Sequence, residues 1–416
     1  MRILMANTYH YLRGGDSAYA LGISQALRER GEDVVPFAMR SGRNLPSEHE
    51  EHFAPELDYP ALQAAGGPAN AWTVVRNSIY NRQARRSLAG LLDEEPVDLA
   101  HLHSVMHHLT ASIVLELRSR RVPLVWTLHD AKACCPTTHF LRQGVPCHAC
   151  AGGRFHNALR YRCKRGSVAA SAVVTVELYL HRLWKIYERA DLLLAPSRFL
   201  RDVLLKTGLR PRRMEVLPNY VDLDRFPASE QAGEHLLYVG RLSPEKGIST
   251  LLRAAARHPR LPVVLAGGGE LEGPLRRRID AEGLGHVRLE GHVGQGRLAE
   301  LLAGARAVAL PSECDENCPL AVLEAFASGR AVLGSRRGGI PELVEEGVTG
   351  RLVAAGDVDA WSRALEEVER EPASWAEMGR QARLRAETRY GRRAHVDRLQ
   401  DLYREVLESR GRRACA

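Results

Sequence analysis

The sequence predicts an α/β protein built from two doubly wound, mostly parallel sheets. Short apolar runs of the length of buried strands alternate with longer segments that have helical spacing. This alternation occurs in both halves of the 416 residues, and a glycine loop follows the first strand of each half, at Gly14–Gly15 and at Gly240. The length allows two or three domains, each with its own core.

The first half begins with a strand at residues 3–6, a loop that contains Gly14 and Gly15, and a helix over 17–30. The next strand is predicted at 34–37, which gives the order in which a doubly wound sheet begins. Residues 41–70 are polar and rich in proline and glycine, so they predict an irregular insertion, and helix follows to about residue 92. The remaining strands of this half are predicted at 97–101, 124–128, 192–195 and 214–217.

The second half repeats the architecture without a visible sequence repeat. Its strands are predicted at 235–239, 263–266, 287–289, 307–310 and 331–334. Residues 374–410 are charged and strongly helical. The two halves therefore predict two sheets of the same kind in one chain.

Composition narrows the class of protein. The net charge is +8 and the pI is near 9.2, which favours an acidic partner: a nucleotide, a phospholipid surface or nucleic acid. No run of eighteen apolar residues predicts a transmembrane helix, and the first residues are too short for a signal peptide. We therefore predict a cytosolic protein whose eight cysteines form no disulfide framework. Peripheral contact with the inner face of a membrane stays open.

Two carboxylates stand eight residues apart at a predicted junction of loop and helix. After the strand at 307–310, a polar loop carries Glu316, a helix begins near Pro319, and Glu324 lies about a turn and a half inside it. Free N–H groups and the dipole at such a helix start suit a phosphate. A carboxylate on each side can then accept hydrogen bonds from hydroxyl groups.

Two cations follow the strand at 235–239. Arg241 comes directly after Gly240, and Lys246 comes five positions later. A guanidinium can bind phosphate oxygens with two parallel hydrogen bonds, and an ammonium adds a point charge. The alternative is that both are ordinary surface charges, as most arginines and lysines are.

Taken together, the Arg-x4-Lys and Glu-x7-Glu pairs, in this order, resemble the retaining glycosyltransferases of family 4, in a subgroup with a Cys-rich loop. The resemblance covers most of the chain. It implies the GT-B fold, in which two Rossmann-like domains face a central cleft. It also implies transfer of a hexosyl group from a nucleoside diphosphate sugar to a hydroxyl of a small-molecule, glycan or lipid-linked acceptor. Configuration would be retained by a same-face mechanism, no metal would be required for catalysis, and nucleic acid would not be a partner.

The resemblance also implies a domain organisation. Residues 1–218 would form an acceptor-side domain with a Cys-rich insertion at 131–166, and 219–234 would be a linker. Residues 235–385 would form the domain that binds the nucleotide sugar. The segment 386–416 would be a helix that packs back toward the first domain.

Residue roles are carried over from the family to matching positions. Arg241 and Lys246 would stabilise the diphosphate, Glu316 would accept hydrogen bonds from the donor sugar, and Glu324 would bind the ribose. His129, at the end of the strand at 124–128, would position the sugar or support the transition state. Further donor contacts are implied at Gly14, Gly15, Gly269, Val293, Asn317, Leu320 and Ala321.

Each role has a plainer alternative. Glu316 could belong to an exposed acidic loop with Glu313 and Asp315, and His129 could be satisfied by backbone at a strand end. His101 and His103 could also face the cleft, but a structural role is favoured for both. The Asp222-Leu-Asp224 sequence matches a metal-binding motif of another glycosyltransferase fold, and here we assign it a structural role.

Five of the eight cysteines fall within thirty residues. Cys147-x2-Cys150 has the spacing of a metal knuckle, and Cys135 and Cys163 complete a four-thiolate set that favours tetrahedral zinc. Reduced thiols without a metal are the alternative. Within the zinc interpretation, Cys134 could replace Cys135, and His148 or His156 could contribute.

The same segment is strongly basic. Residues 132–165 carry seven Lys or Arg and no Asp or Glu. They could contact an anionic acceptor, a lipid surface or only water. The helix predicted at 168–189 could lie on a membrane, although packing against the sheet is favoured.

Two other functions remain as alternatives to transfer. The same fold could serve a sugar-nucleotide epimerase or hydrolase, or a non-catalytic protein that binds membrane or glycan. A dinucleotide oxidoreductase is disfavoured because no Gly-x-Gly-x-x-Gly follows the first strand.

Overall fold

The computed structural model describes residues 1–138, 140–228 and 233–414. The chain divides into two compact units. The first comprises Met1–Thr138, His148–Leu217 and residues 396–414, and the second comprises residues 140–147 and Pro218–His395. Residues 229–232 of the predicted linker, and the last two residues of the predicted C-terminal segment, lie outside the described residues.

The first unit contains a six-stranded parallel sheet with the order β2-β1-β3-β4-β7-β8. Its strands are β1 (Arg2–Ala6), β2 (Asp33–Phe37), β3 (Leu99–Leu102), β4 (Leu124–Thr127), β7 (Leu192–Ala195) and β8 (Met214–Val216). All residues of β3, β4 and β7 are buried, as expected for parallel strands that are covered on both faces. The strand order changes direction between β1 and β3, so ligand-binding residues are expected at their carboxyl ends.

Helices cover both faces of this sheet. They are α1 (Gly15–Glu29), α2 (Tyr59–Ala65), α3 (Pro68–Ile79), α4 (Arg82–Glu94), α5 (Thr110–Ser119), α6 (His156–Arg160), α7 (Val168–Leu183) and α8 (Arg198–Lys206). A short antiparallel hairpin, β5 (Leu141–Arg142) and β6 (Val145–Pro146), lies between β4 and α6 in the chain and is grouped with the second unit.

The second unit has the strand order β11-β10-β9-β12-β13-β14, also parallel throughout. Its strands are β9 (His235–Val239), β10 (Val263–Ala266), β11 (Val287–Gly291), β12 (Ala305–Leu310), β13 (Val332–Ser335) and β14 (Gly350–Val353). Numbered along the unit, this is the order 3-2-1-4-5-6 of a Rossmann-like fold. The order reverses between β9 and β12, and both predicted charged motifs follow these two strands.

The helices of the second unit pack two cores against its sheet, with Trp361 and Trp375 fully buried in one and Phe326 in the other. They are α9 (Ile248–Ala255), α10 (Glu272–Ala281), α11 (Gln295–Gly304), α12 (Leu320–Ala327), α13 (Ile340–Leu343), α14 (Val358–Arg370) and α15 (Pro372–Arg385). The last helix, α16 (Arg392–Ala414), starts in the second unit and continues in the first. In the first unit, its Tyr403 hydroxyl lies 2.6 Å from Nδ1 of His101.

The predicted fold class is confirmed, and every predicted strand is present within a few residues. One local expectation is wrong: residues 41–70 include the helix α2. The helical prediction for 374–410 is confirmed by α15, a π-helix at Ala386–Tyr390 and α16. Between the last two, the N–H of Val221 donates to the Tyr390 carbonyl. The hairpin β5–β6 in the basic segment was not predicted. Among the described residues, no helix has the length and apolar character needed to cross a membrane.

Candidate functional site

The residues that follow β9 form the basic side of the candidate site. The strand ends at Val239, and Arg241 follows Gly240 before a 3-10 turn at Pro244–Lys246. The Tyr238 hydroxyl donates to the Arg241 carbonyl at 2.8 Å, which fixes the backbone that carries the guanidinium. Arg241 itself is exposed, and its Nη2 lies 3.0 Å from Oε1 of Glu245.

The loop after β12 is tied to this turn. The N–H groups of Glu313 and Cys314 both donate to the Glu245 carbonyl, at 2.9 and 3.2 Å. Gly247 has φ +69°, and a Cβ there would lie 1.9 Å from the carbonyl oxygen of Pro311. Only glycine allows this approach. The loops after β9 and β12 therefore form one substructure at the point where the strand order reverses.

Lys246 and Glu316 meet inside this substructure. The Lys246 ammonium lies 2.5 Å from Oε1 of Glu316, and the Ser312 hydroxyl donates to the same oxygen at 2.6 Å. Burial disfavours the charged ammonium, but the Glu316 carboxylate outweighs it, and the pKa of Lys246 is raised. The Lys246 ammonium is therefore charged at neutral pH, and it contacts a residue that lies 70 positions away in sequence.

The helix predicted near Pro319 is α12. Pro319 is its N-cap, so the free N–H groups of the first turn belong to Leu320 and its successors. Glu324 lies one turn inside and is half-buried. Its carboxylate accepts no hydrogen bond from any residue that the structure describes, and burial raises the pKa of Glu324 to about 7. An unpaired carboxylate one turn from a helix start can accept hydrogen bonds from a ligand hydroxyl.

A third segment holds the Glu316 backbone. The N–H of Gly339 donates to the Glu316 carbonyl at 2.7 Å. Gly338 has φ +54°, and a Cβ there would lie 2.1 Å from the same carbonyl oxygen. The turn-rich sequence at 338–339 is thus explained by its close approach to the Glu316 loop.

The triple glycine at 267–269 follows β10 and runs beside the Arg241 segment. The N–H of Leu242 donates to the Gly268 carbonyl at 2.9 Å. A Cβ at Gly269 would lie 2.3 Å from the Leu242 carbonyl oxygen, which explains the glycine at this position. Val293, two residues after β11, is half-buried.

Histidines lie at the carboxyl ends of β3 and β4 in the first unit. Nδ1 of His103 lies 3.1 Å from Nε2 of His129, and the Tyr19 ring lies 5.1 Å from the His129 ring. His103 and His129 line a small pocket of about 20 Å³, and Asp130 and Lys132 line it as well. Burial lowers the pKa of His129, and for His103 burial and the neighbouring imidazoles act together. His129 is therefore neutral at pH 7.

His101 has a different environment. It is fully buried, and its two ring nitrogens lie 2.6 Å from the Tyr403 hydroxyl and 2.7 Å from the Thr127 hydroxyl. Its hydrogen-bonding capacity is used within the core. A structural role fits these contacts.

Gly14 and Gly15 lie at the exposed start of α1. The N–H groups of Arg13 and Gly14 donate to the Ser17 hydroxyl, at 2.9 and 3.0 Å. Gly14 has an extended backbone, and a Cβ there would meet only the Asp16 side chain, at 3.4 Å. The fold does not require glycine at this position. The lack of a side chain would allow a ligand to approach the backbone closely.

Three residues of this arrangement were not singled out from the sequence: Ser312, Glu245 and Thr250. The Thr250 hydroxyl donates to Glu313 at 2.6 Å, and the Ser243 hydroxyl donates to Glu245 at 2.7 Å. Serines, threonines and glutamates are too common for spacing to mark them. Their partners become evident only when the two loops are seen together. Since Glu313 and Glu316 are both bound to neighbouring side chains, the alternative of an exposed acidic loop does not hold.

The predicted zinc ligands are not assembled. Across residues 1–138, 140–228 and 233–414, no three potential ligand atoms within 4.8 Å of one another include a cysteine. The thiol of Cys135 lies 3.3 Å from the Thr137 hydroxyl. The four thiolates therefore do not fit a tetrahedral zinc ion in this structure.

Asp222 is engaged in ion pairs, with Arg225 at 3.2 Å and Arg392 at 3.8 Å. Its Oδ1 also accepts a hydrogen bond from the Asp224 N–H at 3.3 Å. These contacts hold the segment after β8 to the start of α16, and they suit a structural role.

Two Rossmann-like units in one chain are the architecture of the GT-B fold class. Two family models agree: "Glycosyltransferase Family 4" matches residues 13–225, and "Glycosyl transferases group 1" matches residues 223–385. The first model alone covers about half of the chain. The chain belongs to glycosyltransferase family 4.

Similar proteins include a D-inositol 3-phosphate glycosyltransferase of Mycolicibacterium paratuberculosis, 38% identical over 196 residues. That match covers 43% of this chain and 44% of the relative, so the chain spans less than half the length of this curated relative. The sucrose-phosphate synthase of Thermosynechococcus elongatus has the same fold, with a TM-score of 0.72, 20% identity, and coverage of 98% of this chain and 99% of that one. HepE of Anabaena, solved with UDP-glucose, has a TM-score of 0.68, 21% identity, and coverage of 98% and 100%.

Proposed function

We propose that the protein transfers a hexosyl group from a nucleoside diphosphate sugar to a hydroxyl acceptor, with retention of configuration and without a catalytic metal. The observation that supports this most is the Lys246–Glu316 pair, held between the loops of β9 and β12 with Arg241 beside it. Cations, a carboxylate and a helix start at the reversal point of a Rossmann-like sheet suit a sugar joined to a diphosphate.

The ion pair gives a specific account of donor binding. In the unliganded protein, the Lys246 ammonium is neutralised by Glu316. A diphosphate would draw the ammonium to itself, together with the guanidinium of Arg241 and the N–H groups at the start of α12. Glu316 would then be released to accept hydrogen bonds from sugar hydroxyls, and Glu324 would accept hydrogen bonds from the ribose.

The chemistry follows from the same groups. The bond between the anomeric carbon and the diphosphate breaks, and a bond forms from the acceptor oxygen on the same face of the sugar. The acceptor's proton passes to an oxygen of the leaving diphosphate. The negative charge that develops on the diphosphate is stabilised by Lys246 and Arg241, and such preorganised electrostatic stabilisation is usually the largest contribution to catalysis. In the first unit, neutral His129 would position sugar hydroxyls by hydrogen bonds.

The comparisons suggest which substrates to test first. HepE, a structural neighbour, was solved with UDP-glucose, and a relative is named for transfer to D-inositol 3-phosphate. We propose a UDP-hexose as donor and a phosphorylated polyol as the first acceptor class to test. Further donor contacts are proposed at Gly14, Gly15, Gly269, Val293, Asn317, Leu320 and Ala321.

We also propose a reducing compartment, the cytosol, for the protein. None of the seven described cysteines forms a disulfide. Because the thiols of Cys135, Cys147, Cys150 and Cys163 are dispersed, we expect a ratio of zinc to protein near zero in elemental analysis without added metal. A ratio near one would restore the four-thiolate prediction.

A panel of UDP-, GDP- and ADP-hexoses, scored by thermal shift, tests donor binding, because a ligand of the folded state raises the melting temperature. One nucleotide should stabilise the protein clearly more than the others. NMR of the sugar released by slow donor hydrolysis should first show the anomer of the donor. Release of the opposite anomer would contradict retention.

The variant Glu316→Gln sharpens the test. It removes a negative charge beside the diphosphate, so the affinity for free UDP should rise roughly fivefold while transfer falls roughly 10- to 100-fold. A variant whose site is merely damaged would lose both UDP affinity and transfer activity. If UDP affinity falls together with activity, the proposed exchange of partners by Lys246 is wrong. Glu282→Gln at the C-cap of α10, remote in sequence from both loops, is the matched control.

A further inference from the structure

Helix α7 exposes a row of large apolar side chains. Its buried residues are Val174 and Leu178 together with the polar Ser171, Thr175, Glu177 and His181. Val168, Val176, Tyr179 and Leu183 are 51%, 48%, 40% and 74% exposed, and Arg182 is exposed beside them. Their spacing places all four on one stripe of the helix. A surface helix of a globular protein normally has the reverse arrangement.

Buried charges fix this orientation. Nζ of Lys132 lies 2.8 Å from Oε2 of Glu177, and both side chains are almost fully buried. Nδ1 of His181 lies 3.9 Å from the other carboxylate oxygen. Turning α7 to bury its apolar stripe would separate this ion pair and expose or orphan its members, at a cost of several kcal/mol. The stripe is therefore held outward by the fold.

The surroundings of the stripe are cationic. Residues 130–188 contain nine Lys or Arg and three acidic residues, Asp130, Glu177 and Glu188. The Glu177 carboxylate is buried and paired with Lys132. The exposed apolar stripe therefore lies in a segment with a clear excess of positive charge.

An arginine-lined pocket adjoins the C-terminal end of α7. It is an open pocket of about 690 Å³ formed by residues of α3, α4 and α5 and by Trp184, the C-cap of α7. Its lining includes one carboxylate, Glu116, which pairs with Arg85. The Tyr80 and Trp184 rings meet edge to face at 6.4 Å. Three exposed arginines line the pocket and pair with no carboxylate of the described chain: Arg76, Arg82 and Arg86. Guanidinium groups in this number suit phosphates.

Helix α3 extends the same surface. Arg76 and Tyr80 lie four residues apart, and Trp72 lies one further turn back along that stripe. Trp72 is 65% exposed. Tryptophan with arginine at an exposed face is typical of the interface between water and lipid, where the ring sits at the level of the headgroups.

We propose that this surface, the outward faces of α3 and α7 with the arginine pocket between them, docks on a bilayer that contains anionic phospholipids. The stripe of α7 would enter the region below the headgroups, and Arg76, Arg82 and Arg86 would bind headgroup phosphates. A second copy of the chain is a poor occupant, because it would bring the same positive charge to the contact. The inference is independent of the proposed transfer reaction.

Co-sedimentation of the full chain with large vesicles tests the proposal. Binding should be strong to vesicles of phosphatidylcholine with an equal part of phosphatidylglycerol and weak to phosphatidylcholine alone. It should weaken as salt rises, since the charge attraction is screened. Val176→Glu/Leu183→Glu should lower the vesicle partition coefficient at least tenfold, as should Arg82→Glu/Arg86→Glu. All four side chains are exposed, and circular dichroism melts check that the variants fold.

Leu384→Glu is the matched control, because this leucine of α15 is 53% exposed but belongs to the second unit. It should bind vesicles as the native chain does. Failure of the native chain to bind anionic vesicles would overturn the proposal, and so would binding that the α7 variant leaves unchanged. If the chain binds no vesicles but forms a dimer in solution, and Val176→Glu/Leu183→Glu abolishes that dimer, the surface is instead a contact between copies of the chain.

Discussion

The carboxyl ends of the two sheets carry different chemistry on similar architecture. In the second unit, the loops after β9 and β12 bring together full charges, Lys246 with Glu316 and Arg241 with Glu245. In the first unit, the ends of β3 and β4 carry His103 and His129, whose pKa values are lowered by burial. The first arrangement suits a charged ligand group, and the second suits neutral hydroxyls.

The difference has a physical origin. The Lys246 ammonium remains charged because a carboxylate lies within contact distance and outweighs the cost of burial. At His129, the carboxylates of Asp16 and Asp130 favour the charged imidazole, but burial outweighs them and the pKa is lowered. The balance between burial and nearby opposite charge thus decides whether a polar group at a strand end is ionic or neutral. Variants that alter one end should leave the chemistry of the other unchanged.

Lys246→Ala should produce the largest effect. It removes the cation that we assign to the diphosphate and leaves Glu316 without its ion-pair partner, so transfer should fall on the order of 10²- to 10³-fold. UDP affinity should also drop. Steady-state transfer kinetics and calorimetry with UDP measure both. Lys206→Ala, an exposed lysine at the end of α8, is the control, and equal rates in the two variants would refute the assignment.

His129→Ala should reduce transfer less, by roughly 10- to 100-fold, because it removes positioning and not charge compensation. UDP affinity should stay within twofold of the native value, since the imidazole is assigned to hydroxyl groups (about 0.4 kcal/mol). The contrast with Lys246→Ala separates the two strand ends. If His129→Ala weakened UDP binding as much as Lys246→Ala does, the division between ionic and neutral ends would be wrong.

Sequence patterns predict the sheets and the backbone of the site well. Buried apolar runs locate the strands that precede Arg241, His129 and the Glu316 loop. This works because a parallel strand that is covered on both faces consists almost entirely of apolar residues. The strand order then brings β9 beside β12. The order itself depends on contacts far apart in sequence, so the link from Glu245 to Glu313 and the hydrogen bond from Ser312 to Glu316 could not be predicted from spacing.

Two other features could not be predicted from the sequence, again because they depend on contacts between residues far apart in the chain. The sequence left open whether the helix predicted at 168–189 lies on a membrane. Which face of α7 points outward could not be predicted, because its orientation depends on the buried pair of Lys132 and Glu177, 45 residues apart. The cysteine spacing predicted zinc, but a spacing fixes only which thiols are close along the chain. Cys147 follows a hairpin turn that the composition did not predict.

Glu324 should give nucleotide binding a pH dependence. Burial raises the pKa of Glu324 to about 7, and only the carboxylate form accepts hydrogen bonds on both oxygens. Affinity for UDP should therefore rise, by at most about tenfold, from pH 6 to pH 8. The unliganded protein should show the opposite sign: the folded state holds a proton that the unfolded chain releases, so this group's contribution to stability falls as pH rises toward 7. Glu324→Gln should flatten both profiles, and a profile unchanged in that variant would assign the titration to another group.

Tyr403→Phe should have the smallest effect on activity and a measurable effect on stability. The Tyr403 hydroxyl lies 2.6 Å from Nδ1 of His101 in the core of the first unit, and the substitution removes this buried hydrogen bond. The free energy of unfolding should fall by about 1–2 kcal/mol, with UDP affinity unchanged. Urea denaturation measures this loss, and Tyr11→Phe, whose hydroxyl makes no hydrogen bond to a described residue, is the control. If Tyr403→Phe instead changed UDP affinity, the buried histidine at β3 would belong to the functional site, and the first unit would not be divided into a structural His101 and a ligand-facing His129.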